Sequence, residues 1–214
     1  NLYIFDGQKK VTVTSDDEKN IVNGQSVHRD EFGITKGTFW SPKGTYLAYY
    51  RMDQTMVTDY PIMDYTTQPA TAKMIKYPMA GAFSHQVTVW IYEVASGKKW
   101  QIKTSGDPEH YLTNIAWSPD EKNIYIAELN RNQDHLYFNC FDANSGNFVK
   151  TLFEETSEKY VHPTHAMLFV KGNDKHFIWQ SERDGFNHLY LYETNGKLIR
   201  QLTKGSFEVT EVLG

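Results

Sequence analysis

Apolar and polar residues alternate in short runs along this chain, and turns separate the runs. Val87-Thr-Val-Trp-Ile-Tyr92 places Val87, Val89 and Ile91 on one face of an extended strand. A turn at Ala95-Ser96-Gly97-Lys98 follows, then Lys99-Trp-Gln-Ile102. The same grammar returns at His135-Leu-Tyr-Phe-Asn-Cys-Phe141, the turn Asn144-Ser145-Gly146, and Phe148-Val-Lys-Thr-Leu-Phe153. It returns again at His188-Leu-Tyr-Leu-Tyr192, the turn Thr194-Asn195-Gly196, and Lys197-Leu-Ile-Arg-Gln-Leu202. The first residues follow it too, with Leu2-Tyr-Ile-Phe5, Asp6-Gly7 and Val11-Thr-Val13. Gly or Asn stands in each turn because a central residue there takes a positive φ. No apolar stripe of helical period with caps at both ends runs through the chain, so no long helix is expected.

The runs repeat with a measurable period. Gly97 to Gly146 is 49 residues, and Gly146 to Gly196 is 50. A second marker agrees. Trp40-Ser-Pro-Lys-Gly44 precedes the strand Tyr46–Tyr50, and Trp117-Ser-Pro-Asp-Glu121 precedes Asn123–Ala127. Phe169-Val-Lys-Gly-Asn-Asp174 reads as a degenerate third copy before Phe177–Gln180. Four strands in roughly 40–50 residues is the signature of a propeller blade. The predicted fold is therefore all-β, a β-propeller of four-stranded antiparallel blades. At that period the 214 residues hold about four blades, against roughly 4–8 in a closed propeller. Asn1-Leu-Tyr begins inside a strand and Glu208–Gly214 stops where another would begin. That favours an arc of a larger propeller, with residues 1–214 as one partial domain. Trp40 to Trp117 is 77 residues, well over one period. The excess falls in Met52–Phe83, rich in Met, Tyr, Pro and Thr, which is expected to form an inserted arm or extended hairpin.

Composition narrows the functional classes. Aromatic residues are 14% of the chain, in keeping with a half-buried pleated surface. The net charge of −4 lacks the basic face of a nucleic-acid binder. Mean hydropathy is −0.58, and no membrane span is expected in this segment. No charged-then-apolar leader is seen, so no signal peptide is expected here. Cys140 is the single cysteine, which excludes an internal disulfide and a multi-cysteine zinc site.

Few residues carry chemistry. The chain has no Gly-x-Ser-x-Gly elbow, and Ser41, Ser96, Ser118 and Ser145 sit in turns. No catalytic residue and no cofactor is therefore expected in this segment. His162 and His165 flank Pro163, but no further ligand closes a familiar metal site beside them. His135 and His188 open strands at equivalent places in two repeats, which fits inter-strand hydrogen bonding. The segment Val27-His-Arg-Asp-Glu-Phe-Gly-Ile34 is different, because four polar or charged residues run together. On a flat strand Arg29, Asp30 and Glu31 would point to alternating faces. Asp30 and Glu31 can converge on one target only from a turn or short helix; the plain alternative is a solvated loop with a local ion pair.

Trp40-Ser-Pro-Lys-Gly-Thr-Tyr-Leu-Ala-Tyr-Tyr50, Tyr77-Pro-Met-Ala-Gly-Ala82 and Trp117-Ser-Pro closely resemble the propeller of the dipeptidyl peptidase IV family, in the prolyl oligopeptidase class of serine peptidases. The resemblance covers nearly the whole chain. Arg51-Met-Asp53 and Glu128-Leu-Asn-Arg131 are most similar to Bacteroides-type members. The resemblance implies an eight-bladed propeller followed by an α/β-hydrolase domain that carries the catalytic triad. It implies peptide substrates with free N-termini, release of N-terminal dipeptides with proline second, a homodimer formed with help from the Met52–Phe83 arm, and a periplasmic or secreted location. It also implies a short helix whose paired glutamates grip the substrate ammonium. That helix maps to His28–Phe32. An ungapped register from Trp40 places Phe32 on the family's aromatic and Asp30 and Arg29 on the glutamates. A shift of one residue places Glu31 and Asp30 there, which is preferred because an ammonium needs anions. Arg29 and Phe32 are then pocket neighbours. A non-catalytic propeller binding protein or glycan is the main alternative, and a metal-dependent propeller lyase a second.

Overall fold

The structure is a computed structural model that describes residues 1–213. It contains β1 (Tyr3–Asp6), β2 (Lys9–Thr12), β3 (Ile21–Asn23), β4 (Thr38–Trp40), β5 (Tyr46–Asp53), β6 (Asp59–Asp64), β7 (Thr71–Lys76), β8 (Gln86–Glu93) and β9 (Lys99–Gln101). It continues with β10 (Tyr111–Trp117), β11 (Asn123–Leu129), β12 (His135–Asp142), β13 (Phe148–Thr156), β14 (Leu168–Val170), β15 (Asn173–Ser181), β16 (His188–Glu193) and β17 (Leu198–Gln201). All pairing is antiparallel. The described residues include one helical segment, a 3₁₀ stretch at His28–Gly33.

Three blades are complete. The second is β10-β11-β12-β13 and the third is β14-β15-β16-β17, each in chain order. The first is β5-β8-β9, with β3 and β4 both on the edge of β5 that faces away from β8. A hairpin of β1 and β2 precedes it. The length-based figure of about four blades thus resolves into three blades and a hairpin. An arm and a loop in the first blade use the remaining chain.

Alternation builds the core between the blades. Val87, Val89 and Ile91 face Leu112, Ile124, Ile126 and Phe141 across the first gap, and all seven are buried. Phe138, Tyr125, Phe177, Trp179 and Tyr192 fill the second. There Phe138 meets Trp179 at 4.6 Å, and Phe177 stacks on Tyr192 at 5.5 Å. The Trp-Ser-Pro turns repeat bond for bond. The Ser41 hydroxyl accepts the Tyr46 N–H, and the Ser118 hydroxyl accepts the Asn123 N–H, both at 2.9 Å. The two tryptophans differ in setting. Trp117 is buried, stacks on Tyr46 and donates its indole N–H to the Phe39 carbonyl (3.0 Å), whereas Trp40 is exposed.

The glycines that mark the period also join blades. A Cβ on Gly146 would lie 2.3 Å from the Gln101 carbonyl oxygen of the preceding blade, and one on Gly196 would lie 2.1 Å from that of Leu152. At Gly97 no such backbone approaches. All three have positive φ. Gly146→Ala and Gly196→Ala are therefore expected to lower stability by about 1–3 kcal/mol each. Gly97→Ala should cost less, since only its φ is strained. Urea midpoints of the three variants check this ordering; equal losses at all three positions would refute the backbone contact as the cause.

Between β5 and β8 the chain leaves the sheet for a hairpin of β6 and β7, which among the described residues pair only with each other. Met52 and Asp53 belong to β5, paired with Val87 and Gln86, so the excursion starts two residues later than its composition suggests. Tyr60, Ile62, Met63, Tyr65, Met74 and Met79 are exposed on it. No helix among the described residues is long and apolar enough to cross a membrane.

Candidate functional site

The first blade's innermost strand is broken. β3 pairs with the Arg51–Asp53 end of β5 and β4 with its Leu47–Tyr49 end, so the intervening chain is thrown out of the sheet. Tyr50 pinches this loop shut: its carbonyl accepts the Gly24 N–H (2.9 Å), and its own N–H donates to the Gly37 carbonyl (3.0 Å). The two legs cross so closely that a Cβ on Gly37 would lie 2.0 Å from the Gln25 carbonyl oxygen. The 3₁₀ segment sits at the head of the loop.

Two buried residues hold it and three exposed ones cover it. His28 and Phe32 are buried, while Arg29, Asp30 and Glu31 are exposed. Four of these five residues have positive φ; Glu31, at φ −65° and ψ 164°, is extended. The segment is therefore a chain of left-handed turns rather than a regular helix, and the tertiary anchors must over-determine it.

His28 is the stronger anchor. Its Nε2 accepts the Leu112 N–H of β10 (3.2 Å). That bond leaves the ring proton on Nδ1, which donates to His85 Nε2 (3.1 Å). His85 Nε2 also accepts the His28 backbone N–H (3.3 Å). One pair of neutral rings thus ties the segment to the start of β8 and to the second blade. Burial holds His28 well below the usual histidine range, with His85, His110 and Arg131 adding to the effect. Burial also lowers His85 and His110. Phe32 packs on Tyr111 (4.9 Å between centroids) and near His162 (6.3 Å), and its carbonyl accepts the Thr113 hydroxyl (3.2 Å). Next to it, a Cβ on Gly33 would lie 2.0 Å from the Thr164 carbonyl oxygen, which seats the loop against the link to the third blade.

The three exposed side chains diverge in their commitments. The Arg29 guanidinium lies over the Tyr77 ring at 4.4 Å, a cation–π contact with the base of the arm. No hydrogen bond or ion pair within the chain engages the carboxylate of Asp30 or Glu31 among the described residues. The local ion pair offered by the plain reading of this loop does not form there. The flanking cavities are walled by Phe32 (about 180 Å³) and by Arg29 with His28 and His85 (about 150 Å³). The two carboxylates stand on open surface.

Sequence reasoning missed a second group beside the segment. Tyr111 touches both the His28 and Phe32 rings, and its hydroxyl accepts a bond from Arg131. Arg131 also lies 3.8 Å from Glu109, whose other oxygen accepts the Ser84 N–H (2.7 Å). The Glu128–Arg131 wording was the only signal, and it spoke of likeness rather than of contact.

His162 and His165 do not converge on a metal site. His162 Nδ1 lies 3.7 Å from Glu182, and His165 Nδ1 bonds to the Thr164 hydroxyl at 2.8 Å. No group of three or more potential metal ligands gathers among the described residues. His135 makes the inter-strand bond expected of it, to Glu154 of β13 (2.8 Å), whereas His188 bonds to the Thr203 hydroxyl (3.1 Å) and the Gly205 carbonyl (3.0 Å) in the stretch after β17.

The whole chain, residues 1–214, matches the protein family described as the dipeptidyl peptidase IV (DPP IV) N-terminal region. It is similar to a solved putative dipeptidyl aminopeptidase IV from Bacteroides ovatus, with 45% identity and a TM-score of 0.91 over 99% of this chain and 32% of that one. It is also similar to Porphyromonas gingivalis dipeptidyl peptidase 4, with 29% identity and a TM-score of 0.84 over 95% of this chain and 29% of that one. Among curated relatives, dipeptidyl aminopeptidase B of Saccharomyces cerevisiae is 27% identical over 98% of this chain and 28% of its own length. The chain therefore spans between a quarter and a third of the proteins it matches.

Proposed function

Because the chain belongs to the dipeptidyl peptidase IV N-terminal region family, we propose that it is the substrate-gating, N-terminus-recognising part of a serine exopeptidase that releases Xaa-Pro dipeptides. The observation that carries the reading is the 3₁₀ segment. It presents Asp30 and Glu31 exposed and unpaired while His28 and Phe32 pin it from below.

A peptide N-terminus has a pKa of about 7.7–8.0 and is mostly a cation near neutral pH. Its three N–H donors match two carboxylates that have no other partner, through charge-assisted hydrogen bonds. Arg29, turned onto Tyr77, leaves that role to Asp30 and Glu31. Phe32 supports the floor. In this reading the bond is cut by a Ser-Asp-His triad in a C-terminal α/β-hydrolase domain of the same chain. The segment described by residues 1–213 supplies no nucleophile and is inactive alone. The propeller is eight-bladed, the arm joins two copies into a homodimer, and the protein works in the periplasm or outside the cell.

The test compares matched reporter peptides with free and acetylated N-termini on the full-length enzyme. Acetylation removes the charge and leaves the carboxylates unmatched, so kcat/KM is expected to fall at least about a hundredfold. Equal turnover of the two peptides would overturn the reading.

A further inference from the structure

The gap between the first and second blades does not close along its whole length. Deep in it the β11 and β12 face is apolar, with Ile124, Ile126 and Phe141 in the core. Towards the end of β11 the same face turns polar, and Lys103, Ser105, Gly106 and Asp107 of the link after β9 line the space beside it. A cavity of about 510 Å³ opens there. That lies within the roughly 300–1,000 Å³ typical of small-molecule sites.

Its floor is built. The Thr151 hydroxyl donates to Asn139 Oδ1 (2.7 Å), and Asn139 Nδ2 donates to Glu128 Oε1 (2.9 Å). These residues lie on β13, β12 and β11, so the relay crosses the sheet. Glu128 Oε2 lies 3.9 Å from His110 Nδ1, beyond hydrogen-bond length, and the Ser105 backbone N–H also reaches the Glu128 carboxylate. The Glu128 side chain is 6% exposed. A carboxylate this deeply buried costs stability unless its charge is matched. Burial keeps His110 below the usual histidine range and raises Glu128, so the neighbouring ring is a poor countercharge.

The walls are aromatic. Tyr137 and Phe148 line the cavity and stay exposed. Tyr137 is held by stacking on His135 at 4.1 Å. Exposed rings above a buried carboxyl form the arrangement that recognises an organic cation: the rings take the apolar body and the near charge, and the acid takes the ammonium head.

We propose that this inter-blade cavity binds a small organic ammonium ion with a flat apolar body, with Glu128 as the countercharge and Tyr137 and Phe148 as walls. Neutral and anionic molecules of the same shape lack the head that Glu128 requires.

Calorimetric titration of the full-length protein with 2-phenylethylammonium, against 3-phenylpropionate, tests this. The Asp30→Asn/Glu31→Gln double variant is the background, so that amine binding at the 3₁₀ segment does not contribute. Saturable binding of the amine and none of the acid is expected. Glu128→Gln, which keeps the Asn139 bond, should weaken the amine at least about tenfold. Phe148→Ala, on the exposed rim, should weaken it several-fold and covers the case of a poorly folding Glu128 variant. No saturable binding, equal binding of acid and amine, or amine affinity unchanged by both substitutions would each overturn the proposal.

Discussion

In the full-length enzyme, Glu31→Gln and Asp30→Asn should each lower kcat/KM for free-amine dipeptidyl substrates by about ten- to a hundredfold. Both replacements keep shape and remove only charge. Asn is chosen at position 30 because its φ of 62° lies in the left-handed region, which Asn tolerates and Ala does not. Glu31 is extended, so Gln fits without strain. The two variants together should lose less than the product of the single losses if, as proposed, both carboxylates hold one ammonium. Arg29→Gln should do less than either, since Arg29 is engaged with Tyr77. Turnover unchanged in Glu31→Gln would place the anchor elsewhere. Circular dichroism should match the parent in all variants, because the exposed side chains contribute nothing to the core.

The second large effect concerns what lies beneath them. His28→Ala should destabilise the protein by about 3–5 kcal/mol. It orphans the buried Leu112 N–H, removes the partner of His85, and leaves a hole under the segment. The same histidines set a pH dependence. His28, His85 and His110 all have folded pKa values below the ordinary histidine value, chiefly through burial. Arg131 and Arg29 also face this cluster and oppose protonation there, whereas Glu109 favours it. The unfolded chain then binds more protons than the folded one below about pH 6.5. The stability they contribute is complete above that pH and is lost as the pH falls. Each histidine steepens the loss by at most about 1.4 kcal/mol per pH unit. Urea midpoints should fall between pH 7.5 and pH 5, and less steeply in His28→Ala. A slope that His28→Ala leaves unchanged would show that the buried pair is not its source.

The blades were legible because their signals are local. Positive-φ glycines, Trp-Ser-Pro turns and two-residue alternation act within a few neighbours, and β8, β12 and β16 formed where the pattern placed them. β10 shows no clean alternation. It is buried on both faces, and a bulge between Thr113 and Ala116, with Asn114 at φ 54°, breaks its period. The break between β3 and β4 was hidden for a different reason. It depends on Gly24 and Gly37 meeting at Tyr50, and nothing local to either glycine signals that crossing. The site was half legible. The run from His28 to Phe32 stood out by charge, but its anchoring did not, since His85 and Leu112 lie 57 and 84 positions away. The register between Arg29, Asp30 and Glu31 could be argued only from the chemistry of an ammonium, because a left-handed run of turns has no sequence period.

A structure of the full-length enzyme with a bound free-amine dipeptide tests the central claim most directly. The dipeptide nitrogen should lie about 2.7–3.2 Å from carboxylate oxygens of both Asp30 and Glu31. Arg29 should stay over Tyr77, and the His28–His85 bond should be intact beneath. A dipeptide nitrogen held by other residues, with Asp30 and Glu31 still facing solvent, would contradict the account.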